Sequence, residues 1–205
     1  MSTKQERNAQ QFRALLQAKI ERLLDDFAQG KISRAQFHLL YERYNARLAI
    51  ANHALVSGNP DAIEIAQTGP PTMTILQETR ARAVGMRIYH NKSGQQIETL
   101  GQFEVADEAL NPILKHYVPL KPFTTTPVEH VHQVGKGLWV FFSTGSHTTV
   151  VTLFHNEPSR QQQREIERLH KDFESANRNV WEEDTVHGEQ LAYPFLVFIQ
   201  RRLKS

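Results

Sequence analysis

The stretch EHVHQVGKGLWVFFSTGSHTTVVTLF, residues 129–154, decides the fold class. It holds three strand-like runs in close succession. Glu129–Val134 alternates apolar and polar residues, the period of a strand with one wet face. Leu138–Phe142 is apolar at every position, and Thr148–Phe154 is rich in β-branched residues. Gly135 and Gly137 punctuate the first connection, and Gly145-Ser146 the second. Strands joined this tightly form an antiparallel meander. A strand without a polar face needs cover on both sides, so Leu138–Phe142 is predicted to be central.

Upstream, Met86–His90 and Gln96–Leu100 flank Asn91-Lys92-Ser93-Gly94, a hairpin with glycine available for a positive φ. Residues 105–117 read as a weak helix interrupted by Pro112, and Pro119, Pro122 and Pro127 keep the following stretch extended. Downstream, Ser159 and Gln162 form a capping box that opens a helix over Ser159–Val180. Ile166, Leu169, Phe173, Ala176 and Val180 give it one apolar face. The chain then runs into the apolar segment Tyr193–Ile199, followed by Arg201, Arg202 and Lys204.

The first quarter of the chain has helical periodicity. Phe12, Leu16, Ile20, Leu23 and Phe27 recur at spacings of three and four within residues 5–29. Gly30 is the natural stop, and Ser33 with Gln36 caps a second helix whose stripe is Phe37, Leu40, Tyr41, Tyr44, Leu48, Ala51 and Leu55. The turn has the length of a calcium loop. Its ligand places fall on Asp25, Phe27, Gln29 and Gln36, a set too poor in carboxylates for calcium. Residues 57–73 contain three prolines and two glycines and read as a linker. The predicted layout is a helical hairpin over 1–56, a linker over 57–73 and a sheet domain over 74–205. The fold class is α+β, a hairpin followed by a five-stranded antiparallel sheet flanked by helices.

Composition removes several classes of function. The 205 residues contain no Cys, so disulfide scaffolds, thiolate nucleophiles and thiolate metal sites are excluded. The polar start MSTKQERNAQQ predicts no secretory leader, and no apolar run reaches the ~20 residues of a membrane span. The expected location is the cytoplasm. The net charge of +2 conceals an asymmetry: residues 1–56 carry nine Lys/Arg against five Asp/Glu, and the rest carries fifteen against seventeen. Acidic residues interrupt the basic ones along the hairpin, so no phosphate-tracking stripe forms and no nucleic-acid partner is expected.

Chemistry would have to rest on His and carboxylates. His130 and His132 share one strand face and could hold a metal ion if His147, His155 or Glu129 completed the set. Glu129 should point the other way, and the expectation is two exposed histidines and no metal. Ser143-Thr144-Gly145-Ser146-His147 brings Ser and His together in sequence, but in a hairpin turn and not a nucleophile elbow. No phosphate-cradling glycine motif is present, so neither a catalytic residue nor a cofactor is assigned.

The order strand, strand, helix, three strands, helix resembles the roadblock/longin-like sandwich, a profilin-like fold. The likeness is carried by Met86–His90, the Asn91–Gly94 turn, the meander Glu129–Phe154 and the helix Ser159–Val180, about half of the chain. PAS- and GAF-like domains share parts of this order. The resemblance implies a non-catalytic platform that pairs through sheet edges or helices and regulates partners such as small GTPases. The reading is therefore a protein–protein interaction module, a homodimeric regulator or scaffold. Its expected interface residues are Phe37, Tyr41, Tyr44 and Leu48 on the hairpin, and Phe195 and Phe198 on the tail. The tail is expected to dock on protein and not on lipid. A second reading is a small-ligand sensor with a pocket lined by Trp139 and Phe141. A third is a metal-dependent enzyme using His130 and His132.

Overall fold

A computed structural model describes residues 3–57, 66–115, 117, 130–181, 183 and 186–194. The chain divides into two compact units, residues 1–80 and 81–205.

The first unit is built on helices α1 (Thr3–Ala28) and α2 (Arg34–Ser57). Gly30 reverses the chain at φ 73°, a region that a side chain disfavours. Ser33 and Gln36 exchange hydrogen bonds, the Ser33 Oγ accepting from the Gln36 N–H at 3.2 Å and the Gln36 side chain accepting from the Ser33 N–H at 3.0 Å. Leu16, Leu23, Ile32, Leu40 and Tyr44 form the core, and Ala9 packs near Ala54. The start of α1 thus meets the end of α2, as an antiparallel hairpin requires. A short helix α3 (Thr72–Glu78) joins the same core through Ile75. The Gln36 amide donates to the Leu76 carbonyl at 3.3 Å and to Thr79 Oγ1 at 3.2 Å. Arg43 and Arg47 donate to the carbonyls of Pro70 and Thr68. Residues 66–80 therefore belong with the hairpin, although Gly69-Pro70-Pro71 ends a helix locally and reads as a boundary. Burial of Ile75 and the arginine bonds outweigh that local break.

The second unit is a five-stranded sheet of order β2-β1-β5-β4-β3, every pair antiparallel. The strands are β1 (Arg82–His90), β2 (Gln96–Gly101), β3 (Val131–Gly135), β4 (Leu138–Thr144) and β5 (Thr148–His155). The middle place belongs to β5 and not to Leu138–Phe142, which lies one strand from the edge. Apolarity on both faces reports cover, not rank. Thr148, Thr149 and Thr152 are fully buried, and their hydroxyls disguise β5 as a half-wet strand.

Both faces of the sheet are covered. On one, Met86, Ile88, Phe141, Val150 and Phe154 meet Ile166 and Phe173 of helix α5 (Arg160–Ala176), with Trp181 and Leu191 beyond it. On the other, Tyr89, Val140, Phe142, Val151 and Leu153 meet Phe103, Val105, Tyr117 and Leu110 of α4 (Asp107–Leu114). Each such side chain contributes about 1.5–3 kcal/mol by leaving water. Pro112 lies inside α4, which ends two residues later. The predicted capping box on α5 is present. The helix stops before Val180 because Asn177 turns inward: its amide donates to the Phe173 and Ala192 carbonyls at 2.9 and 2.8 Å. Its side-chain oxygen accepts from the Ala192 N–H at 2.7 Å. This pins the tail as far as Tyr193, which stacks on Phe173 at 5.6 Å.

The β1–β2 contact is tightest at Gly85. A Cβ on Gly85 would stand 2.3 Å from the Gln102 carbonyl oxygen. Backbone, not a flexible side chain, is in the way. Gly85→Ala is expected to destabilise the unit by about 1–3 kcal/mol in urea unfolding. A change below a few tenths would mean that β1 and β2 do not pack this closely.

Candidate functional site

The polar residues most deeply organised by the fold lie where the β4–β5 turn meets α5. His170 on α5 is 3% exposed. Its Nδ1 is 2.9 Å from Ser143 Oγ at the end of β4, and its Nε2 is 2.8 Å from Thr148 Oγ1 at the start of β5. One turn further along α5, Glu174 faces the β4–β5 connection. Its carboxylate accepts the N–H groups of Ser146 at 3.0 Å, His147 at 2.8 Å and Thr148 at 2.8 Å. It also accepts the Thr148 hydroxyl at 2.9 Å. Gly145 is the residue that allows the approach, because a Cβ there would stand 2.4 Å from Glu174 Oε1.

Counting donors assigns the protons. Glu174 can only accept, so the single Thr148 hydroxyl proton points to it. The Thr148 oxygen then accepts from His170 Nε2–H. His170 Nδ1 is left as an acceptor and takes the Ser143 hydroxyl proton. A directed chain runs Ser143, His170, Thr148, Glu174. Burial pushes the His170 pKa down to about 4, with the neighbouring Glu174 charge opposing in part. Burial alone would raise Glu174, but the N–H groups of His147 and Thr148, with the His170 charge, outweigh it and hold the carboxyl below its ordinary value. At neutral pH the histidine is neutral and the glutamate ionised.

A Ser–His–Glu chain invites comparison with a hydrolase. A tetrahedral intermediate needs free N–H donors near the nucleophile. Here the N–H groups of Ser146, His147 and Thr148 all donate to Glu174, and that of Gly145 donates to the Thr148 carbonyl at 2.8 Å. The arrangement clamps a turn to a helix. Beside it lies an open cleft of about 400 Å³ bordered by His130, Ser143, Ser146, Glu167, His170 and Lys171.

The sequence-predicted residues scatter. His130 and His132 do share a face: their rings lie 5.7 and 6.1 Å from that of Tyr117. His132 Nε2 is 3.0 Å from the Tyr117 hydroxyl. His147 instead stacks on Trp181 at 5.9 Å, and Glu129 lies outside the described residues. Among the described residues no group of three or more His, Asp or Glu side chains could hold a metal ion. Ser143 pairs with His170 and not with His147. Trp139 and Phe141, expected to line a pocket, pack in the core on the α5 side of the sheet.

On the hairpin, Phe37 lies between Phe27 and Tyr41, with ring centroids 4.6 and 5.3 Å apart. Tyr41 is 37% exposed and Leu24 47%. Leu48 is half-buried. Tyr44 is core and not surface: it is 3% exposed, and its hydroxyl lies 2.8 Å from Thr72 Oγ1. Phe195 and Phe198 lie outside the described residues. Among the described residues no helix is long and apolar enough to cross a membrane. The chain matches no protein-family model and no curated protein.

The Ser143–His170–Thr148–Glu174 chain was missed in sequence. Its one local signal was the i, i+4 spacing of His170 and Glu174 on the α5 face, which reads there as part of a solvated surface.

Proposed function

We propose that this chain is a non-enzymatic protein–protein interaction module, a homodimer that pairs through its helical hairpin and serves as a regulator or scaffold. The observation that carries the reading is the partly exposed row Phe27–Phe37–Tyr41, extended by Leu24 and Leu48. On α2 the stripe Phe37, Tyr41, Asn45, Leu48, Asn52 and Leu55 contains no charge, its two asparagines being neutral amides. Along this α2 stripe a second copy sets no like charge against like, and a partner selected by charge would find little to recognise on it. The size also suits. The 24 residues of α2 span about 36 Å at ~1.5 Å each, and two helices side by side offer about 700 Å². That is close to the ~800 Å² per partner of a standard interface.

Light scattering on the full chain is expected to give a dimer. Leu24→Glu and Tyr41→Glu change exposed residues, so each protomer still folds while the dimer weakens by at least tenfold. A monomeric wild type, or dimers that survive both substitutions, would refute the pairing. The regulatory half of the proposal leans on the roadblock/longin resemblance, which points to a small GTPase. Direct titration with a purified small GTPase tests it: preference for one nucleotide state supports the reading, and indifference across a panel removes it.

A further inference from the structure

Arg43 and Arg47 stand one helical turn apart on α2, and both are half-buried. Their guanidinium groups close on one residue. A Cβ on Gly69 would stand 3.2 Å from a terminal nitrogen of Arg43 and 3.6 Å from one of Arg47. Those two nitrogens are therefore within about 7 Å of each other. Gly69, at φ 97°, is exposed, as are Thr68 and Pro70. The loop on which the arginines converge is thus open to solvent.

Like charges four residues apart on a helix repel. Burial lowers the Arg47 pKa, and the charge of Arg43 lowers it further. Yet among the described residues neither arginine makes an ion pair. Arg43 donates to the Pro70 carbonyl and Arg47 to that of Thr68. A carbonyl accepts a hydrogen bond but cancels no charge, and most N–H donors of each guanidinium remain unspent. A neutral amide would tether the loop as well. Two converging charges exceed that task.

We propose that Arg43 and Arg47, converging over Gly69, bind a phosphoryl dianion, either inorganic phosphate or a small phosphate monoester. Two oxygens of one phosphoryl group, each accepting an N–H at ~2.8 Å, span the gap between the guanidinium groups. A dianion matches the two charges, whereas a carboxylate leaves one over. The site is independent of the hairpin pairing, since neither arginine belongs to the α2 stripe of Phe37, Tyr41 and Leu48.

The test is an NMR titration of the full chain with inorganic phosphate at constant ionic strength. The expected result is saturable shifts confined to the Thr68 and Gly69 amides and the Nε–H groups of Arg43 and Arg47. Acetate, a monoanion, should bind at least tenfold more weakly. Methyl phosphate at the same amides supports an ester as the ligand, and binding of inorganic phosphate alone supports the free ion. Arg43→Gln and Arg47→Gln keep a donor for the loop carbonyl and remove the charge, so each should fold and weaken phosphate at least tenfold. If either fails to fold, Arg43→Lys and Arg47→Lys stand in: they keep the charge, lose the planar fork and should weaken phosphate about threefold. No saturable shift with phosphate would overturn the proposal. So would equal binding of acetate, or folded arginine variants that bind phosphate as the wild type does.

Discussion

Replacing Glu174 by alanine is expected to destabilise the sheet unit by about 3–5 kcal/mol. The side chain is one acceptor group serving four donors: three consecutive N–H groups of the β4–β5 turn and the Thr148 hydroxyl. Alanine leaves all four without a protein partner. The turn is partly wet, so water recovers some of the loss at Ser146 and His147, but less at the buried Thr148. The proton chain also loses its end, and His170 remains with a hydroxyl free to rotate. Glu174→Gln keeps one carbonyl oxygen but turns an NH2 group toward N–H donors, so it should recover no more than half of the stability. Urea unfolding measures both variants. Amide exchange at Ser146–Thr148 localises the effect, with protection lost there before it is lost in β1. An alanine variant within 1 kcal/mol of wild type would show that the clamp is decoration.

Acidification is expected to weaken the fold in two stages, and the first belongs to His170. Its folded pKa of about 4 lies below the ordinary 6.5, so between those values the unfolded chain binds a proton that the folded chain refuses. The stability is fully present above about pH 6.5 and is lost as the pH falls toward 4, by about 3 kcal/mol in all. Glu174 adds the second stage. Its folded pKa is also depressed, so its contribution is present above its unfolded value of 4.5 and lost as the pH falls through the lower folded value. Both slopes have the same sign. Urea midpoints should hold between pH 7.5 and about 6.5 and fall from there to pH 4.5 for the wild type, and fall much less for His170→Gln. That variant cannot titrate and keeps an amide near Ser143 and Thr148. Equal slopes in the two proteins would mean that His170 is not neutral and buried.

Much of the secondary structure was legible because its determinants are local. The Ser33–Gln36 and Ser159–Gln162 boxes depend on residues three apart, and both are present as predicted. The glycine turns set the meander, and all three of its strands stand within a few residues of their predicted places. The candidate site was not legible. Ser143, Thr148, His170 and Glu174 come from three elements, and no spacing in the chain relates β4 to α5. Tyr44 and Tyr41 show the same limit on one helix. Three residues apart in one stripe, they read alike, yet one is sealed against Thr72 and the other faces water.

By itself, then, the sequence determined the α+β class, the hairpin at Gly30, the antiparallel meander and the absence of thiol chemistry. These follow from periodicity, caps, glycine and composition, which act over a few residues. Only the tertiary structure decided that β5 takes the middle of the sheet, that residues 66–80 join the hairpin, and that Glu174 and His170 hold the β4–β5 turn. Those outcomes depend on which apolar face finds which, and on donors and acceptors far apart in the chain. Burial and hydrogen-bond satisfaction are settled only when the whole core closes.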